Sequence, residues 1–155
     1  MRLHEGLPNG DGLRVLVVAS RWNELVTSAL VEGALDELAK LGTSDITVVW
    51  VPGSWETPLA VQTAMQEQTY SAVVALGCVM QGQTSHAGLL ASDVSSALMR
   101  IQLETGVPVG WGILTPETTE QALDRAGMKM GHKGREAVLA ALTMADLLRK
   151  LREKG

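Results

Sequence analysis

The run Gly82-Gln83-Thr84-Ser85-His86 combines a glycine, an amide, two hydroxyls and an imidazole. Glycine lets the backbone approach a ligand, hydroxyl and amide groups donate hydrogen bonds, and an imidazole moves protons near neutral pH. Before it, Val73-Val74-Ala75-Leu76 is an apolar, β-branched run that suits a buried strand, broken at Gly77. After it, Leu90, Val94, Ala97, Leu98 and Ile101 follow helical spacing. The first turn of such a helix has N–H groups without partners, and its dipole favours an anion. The chemistry indicated is proton transfer by His86 beside an anion cradle. Two plainer readings stay open: the loop simply caps the helix, and His86 is a solvated first-turn residue.

Other residues with chemical potential recur at similar places. Trp22 and Asn23 follow an apolar run, and so do Trp55 and Glu56, while Thr115 follows a third. An indole is either a half-buried packing group or a flat face for a heterocycle. Glu56 either complements a helix dipole or accepts hydrogen bonds from a ligand. Arg125 and Lys133 read as surface charges near helix ends or as anion ligands, and Cys78 reads as a small buried residue.

Positioning these groups requires a scaffold, and the periodicity supplies one. Residues 1–12 are polar, glycine-rich and without helical pattern, and are expected to form an arm; 13–155 form one domain. Strands are expected at 13–19, 46–51, from 73 onward, and at 107–114. Leu25, Ala29, Leu30, Ala34, Leu35 and Leu38 mark a helix closed by Gly42. Thr57 and Pro58 suit the N-cap and first position of the next helix. Thr118-Thr119-Glu120-Gln121 has capping-box spacing and opens a short helix ending near Gly127. Val138, Leu142, Ala145 and Leu148 lie on one face of a long last helix. This alternation predicts a three-layer α/β/α, flavodoxin-like fold with a four-stranded parallel sheet, which binds ligands beyond the carboxyl ends of its strands.

Composition narrows the function classes. The 155 residues suffice for one domain with a real core. A formal net charge of -4 argues against broad nucleic-acid binding. No apolar run is long enough to span a bilayer, and the first residues lack the apolar core of a signal peptide. One cysteine excludes an internal disulfide, and three scattered histidines give no metal-ligand spacing. A cytoplasmic location is expected. Phe is absent while Trp occurs four times, an unusual balance that hints at aromatic positions chosen for flat surfaces.

Several blocks, taken together, resemble one family: lumazine synthase, the 6,7-dimethyl-8-ribityllumazine synthase of riboflavin biosynthesis. They are Ala19-Ser20-Arg21-Trp22-Asn23, Val51-Pro52-Gly53-Ser54-Trp55-Glu56-Thr57-Pro58, and Ala75-Leu76-Gly77-Cys78-Val79-Met80-Gln81-Gly82-Gln83-Thr84-Ser85-His86. Further on come Gly112-Ile113-Leu114-Thr115, Glu120-Gln121-Ala122-Leu123-Asp124-Arg125-Ala126-Gly127 and His132-Lys133-Gly134. The resemblance implies condensation of 5-amino-6-ribitylaminouracil with 3,4-dihydroxy-2-butanone 4-phosphate, releasing phosphate and water, with no cofactor and no metal. It implies that Trp22, next to Asn23, stacks on the pyrimidine. Ser54, Trp55, Glu56, Cys78, Val79 and Met80 would line the pyrimidine and ribityl pocket. Gln83 and Thr84 would hold phosphate, and His86 would transfer protons. Trp111 and Arg125 would complete the site from a neighbouring subunit, with Arg125 on phosphate and Lys133 nearby.

It further implies a homo-oligomer, a pentamer, with twelve pentamers closing into an icosahedral shell in many members. The partners expected are the small-molecule substrates and phosphate, with riboflavin synthase as a further candidate, and neither nucleic acid nor membrane. The family usually has Phe where Trp22 and Trp111 stand, Arg where Gln81 stands, and an aromatic–acidic pair where Ala87-Gly88 stands. Those departures raise a second reading of the same fold, a catalytically weakened shell-forming or ligand-carrying cage. A third, generic reading is a monomeric flavodoxin-like phosphate or nucleotide binder.

Overall fold

The computed structural model describes residues 1–83 and 86–153. The elements run β1 (Arg14–Ser20), α1 (Glu24–Lys40), β2 (Asp45–Val51), α2 (Thr57–Glu67), β3 (Ala72–Cys78), α3 (Ala87–Thr105), β4 (Val109–Leu114), α4 (Thr119–Asp124) and α5 (Lys133–Arg152). The sheet has four strands, all parallel, in the order β2-β1-β3-β4. This is the expected flavodoxin-like arrangement. No described helix is long and apolar enough to cross a membrane.

Alternation along the central strands builds two cores. In β1, Val15, Val17 and Ala19 face one side, where Leu30, Ala34 and Leu38 of α1 and Val138 and Leu142 of α5 pack. Leu16 and Val18 face the other, with Val61 of α2 and Val94, Leu98 and Ile101 of α3. β1 and β3 are covered on both sides, which is why they read as unbroken apolar runs. Each fully buried Leu or Val side chain contributes roughly 1.5–3 kcal/mol of hydrophobic stabilisation.

Several boundaries differ from expectation for local reasons. The third strand does not break at Gly77 but runs through it to Cys78. A Cβ at Gly77 would lie 2.6 Å from Ser54 Oγ and 2.9 Å from Ser20 Oγ, so the glycine answers a close approach and not a turn. Ser20, just beyond the strand expected at 13–19, is the last, buried residue of β1. Thr57 is not an N-cap. A 3-10 turn over Ser54–Glu56 already carries the chain into helical geometry, so Thr57 opens α2 with Glu56 before it. Half of the expected capping box forms: Gln121 N–H donates to Thr118 Oγ1 at 3.1 Å, while Gln121 Oε1 accepts from Glu117 N–H at 2.8 Å. The last strand begins at Val109, two residues later than expected.

The arm lies along α5. Leu7 N–H donates to Asp146 Oδ2 at 2.8 Å, and Lys150 Nζ donates to Glu5 O at 2.9 Å. That backbone bond first, then Lys150 and Arg149, holds the Asp146 carboxyl well below the usual carboxylate range.

Candidate functional site

In a sheet of this order the connections from β1 and β3 leave in opposite directions, which opens a crevice beyond their carboxyl ends. Asn23 spans that crevice. It is the one described non-glycine residue with positive φ, at 64°, a conformation that Asn tolerates. Its Nδ2 donates to Cys78 O at 2.9 Å, tying the loop after β1 to the end of β3. The β1–β2 pairing continues into the loops through Arg21 N–H to Val51 O (2.8 Å) and Trp22 N–H to Pro52 O (3.0 Å). The indole of Trp22 therefore lies over Gly53, where a Cβ would come within 2.5 Å of the ring.

A cavity of about 240 Å³ opens beside this ring, lined by Trp22, Asn23, Ser54, Cys78, Val79, Met80 and Leu90. Six of these seven are residues that the sequence singled out; Leu90 carried only a helical-spacing signal. Trp22 is 64% exposed and Trp55 61%, so both present indole surface to solvent. At the ends of β1 and β2 are buried polar atoms without a hydrogen-bond partner among the described residues: Ser20 Oγ, Ser54 Oγ, Glu56 Oε2 and Thr57 Oγ1. Buried polar groups are normally paired. Four orphans at the ends of β1 and β2 suit a ligand rich in hydroxyl and N–H groups. Ser20 and Thr57 were not among the residues that the sequence singled out, because only the fold leaves their hydroxyls buried and unpartnered.

Burial pushes the Cys78 thiol up to about 11, so it stays protonated at neutral pH. Its Sγ lies 3.7 Å from Met80 Sδ. Cys78 is a wall of the cavity, not a nucleophile.

His86 is exposed at the N-cap position of α3, and its carbonyl accepts from Leu90 N–H at 2.9 Å. Gln83 closes a 3-10 turn with Gln81 and Gly82. Thr84, Ser85 and the side chain of Gln83 lie outside the described residues, so the anion cradle expected of them does too. Gln81 Nε2 donates to Thr115 O at 2.8 Å and Gln81 N–H to Pro116 O at 2.9 Å, binding the loops after β3 and β4 together.

Trp111, Arg125 and Lys133 do not line this cavity. Trp111 borders a separate recess of about 220 Å³ with Ser95, Leu98, Met99, Gln102 and Val109. Arg125 caps the C-terminus of α4 and Lys133 opens α5; neither makes an ion pair among the described residues. A larger cavity of about 500 Å³ lies at the opposite end of the sheet, between the arm, Tyr70 and Arg152. It is lined by none of the candidate site residues and lies away from the carboxyl ends of the strands, where parallel sheets bind ligands.

Fold and site together define a parallel α/β protein with a ligand crevice at the switch point of its sheet. The family model for 6,7-dimethyl-8-ribityllumazine synthase matches residues 12–149. Proteins named 6,7-dimethyl-8-ribityllumazine synthase are similar over nearly the full chain. The one from Kosmotoga olearia is 44% identical over 153 residues, covering 97% of this chain and 98% of the relative. Those from Edwardsiella ictaluri and Aquifex aeolicus are also 44% identical, covering 98% of this chain and 99% and 100% of the relatives. The chain belongs to the 6,7-dimethyl-8-ribityllumazine synthase family.

Proposed function

We propose that the chain is a transferase that condenses 5-amino-6-ribitylaminouracil with 3,4-dihydroxy-2-butanone 4-phosphate to 6,7-dimethyl-8-ribityllumazine, releasing phosphate and water. One observation carries the reading: the exposed Trp22 indole walls a crevice together with Asn23 and Ser54, whose buried Oγ has no partner among the described residues. A flat heterocycle with a polyol chain meets both needs. The pyrimidine stacks on Trp22 and runs along Asn23, Ser54, Trp55 and Glu56, over the wall of Cys78, Val79 and Met80. The family match favours the enzyme over a carrier of the same fold.

The chemistry fits the residue types. The ring amine adds to the ketone carbonyl, and water leaves as the imine forms. Phosphate elimination then takes a proton from the neighbouring carbon and expels the phosphate dianion; the enol left behind becomes a ketone, and the ribitylamino nitrogen adds to it and closes the ring with loss of a second water. These steps move protons near neutral pH, which suits His86. The departing phosphate needs donors and a fixed cation. Gln83 and Thr84 supply donors, Arg125 the bidentate charge, and Lys133 a second positive group. Holding two substrates in register lowers the barrier further, without any cofactor.

Arg125 and Trp111 serve the crevice of a neighbouring copy in this reading. Their distance from their own cavity supports it, as does the outer face of α3, where Leu89, Met99 and Leu103 are 63%, 53% and 75% exposed. The assembly is a ring of five, and twelve rings form a hollow shell in the cytoplasm. Replacing Arg125 tests the reading. Arg125→Ala should raise KM for the butanone phosphate far more than KM for the pyrimidine. Equal losses for both substrates, or none, contradict it.

A further inference from the structure

The hairpin that carries Arg125 and Lys133 needs a rigid mount, and its best-anchored residue is His132. We propose that His132 is a positioning residue for phosphate binding: its imidazole bolts the α4–α5 hairpin to α1 and thereby sets Arg125 and Lys133. The proposal rests on the reading of Arg125 as a phosphate ligand.

Both ring nitrogens are engaged by backbone. His132 stands at the N-cap of α5, and its Nδ1 accepts from Arg135 N–H at 3.2 Å. Its Nε2 lies 2.9 Å from Ala29 O on α1. A carbonyl only accepts and a backbone N–H only donates, so the pair selects one neutral tautomer, with the proton on Nε2. An ordinary capping side chain satisfies the helix alone; this one joins two helices.

The ring sits in a slot walled by glycine. A Cβ at Gly33 of α1 would overlap it, one at Gly134 would lie 2.9 Å from it, and one at Gly127 would lie 3.0 Å from it. From the ring the chain reaches the arginine in one step. His132 pairs with Ala126 as an antiparallel bridge, and Lys133 N–H donates to Arg125 O at 2.8 Å. Arg135 adds a second tie to α1 through Asp36 (2.6 Å) and Glu37 (3.1 Å), but that pair fixes α5 and not the strand of the hairpin that bears Arg125. A cation that must meet a phosphate across a subunit boundary loses affinity when its backbone shifts.

The test is steady-state kinetics on the intact protein with both substrates, comparing His132→Ala, His132→Asn and Gly33→Ala with Arg125→Ala. Asparagine retains an acceptor for Arg135 N–H. Gly33→Ala keeps the histidine but fills its slot, while favouring the helix that it joins, so it stands in if His132→Ala does not fold. His132→Ala and Gly33→Ala should each raise KM for the butanone phosphate about fivefold or more, with KM for the pyrimidine and kcat within about twofold, and His132→Asn should recover most of the loss. If Arg125→Ala raises that KM while both His132→Ala and Gly33→Ala leave it unchanged, His132 does not position the arginine. An equal rise for both substrates also overturns the proposal, because it marks general loosening. If Arg125→Ala itself has no effect, the phosphate reading fails and the proposal falls with it.

Discussion

Proton transfer is asked of a single side chain. In the proposed mechanism His86, at the N-cap of α3, moves the protons, so His86→Ala should slow condensation about a hundredfold or more while pyrimidine binding stays largely intact. Single-turnover rates and a binding titration check this; an unchanged rate removes His86 from the mechanism. How much of the site the sequence disclosed depends on the kind of signal each residue leaves. Trp22, Ser54, Glu56 and Met80 stand in motifs and at strand ends, so their place at one sheet edge was legible before any fold was seen. The tie from Asn23 Nδ2 to Cys78 O was not, because a contact 55 residues apart leaves no trace in local spacing. The same holds for the unpartnered hydroxyls of Ser20 and Thr57. The sequence names His132 in the His132-Lys133-Gly134 block but not the role proposed for it, because its partners are backbone atoms.

Among the elements, α3 begins with a weakness. Gly88 lies in its first turn, and a Cβ there would meet nothing within 4 Å. No packing demands the glycine, so Gly88→Ala should stabilise the fold by up to about 1 kcal/mol. A denaturant midpoint measures it, and a lower midpoint refutes the claim of open space. The arm gives a prediction in pH. Asp146 has its carboxyl lowered chiefly by the Leu7 N–H, then by Lys150 and Arg149. A carboxylate lowered by folding contributes its full stability above its ordinary value of about 3.9, and loses it as pH falls from there through the folded value. The arm should therefore stay docked at neutral pH and loosen only in acid. Proteolysis or amide exchange at Leu7 reads this, and Asp146→Asn should remove the pH dependence; arm exchange that speeds up as pH rises from 5 to 8, beyond intrinsic chemistry, would contradict it. Helices and strands were legible because buried apolar runs and helical periodicity are strong signals, as in β1 and α1. Boundaries were not, because tertiary contacts set them: Gly77 stays in its strand under the hydroxyls of Ser20 and Ser54, and the 3-10 turn before Thr57 displaces the expected cap.

On the scale of the whole molecule, the isolated chain leaves two features unanswered: the apolar outer face of α3 and the separation of Trp111 and Arg125 from the crevice. The proposed ring of identical subunits would answer both, with each copy lending these residues to the next. The turn between α4 and α5 is compact, held by Met130 N–H to Asp124 O at 2.7 Å and Lys133 N–H to Arg125 O at 2.8 Å. In the proposed reading, this compact turn goes with rings that close into a shell. Particles near the exclusion limit of gel filtration, hollow by electron microscopy, are the expected outcome for a 16.5 kDa chain. A pentamer at every protein and phosphate concentration would rule out the shell but not the enzyme. The central claim is that the crevice condenses two substrates, and one measurement meets it directly: mix the purified protein with 5-amino-6-ribitylaminouracil and 3,4-dihydroxy-2-butanone 4-phosphate and follow lumazine absorbance with phosphate release. Equal amounts of lumazine and phosphate, formed well above the rate without protein, are predicted. Tight binding of the pyrimidine with no product above that background would contradict the account.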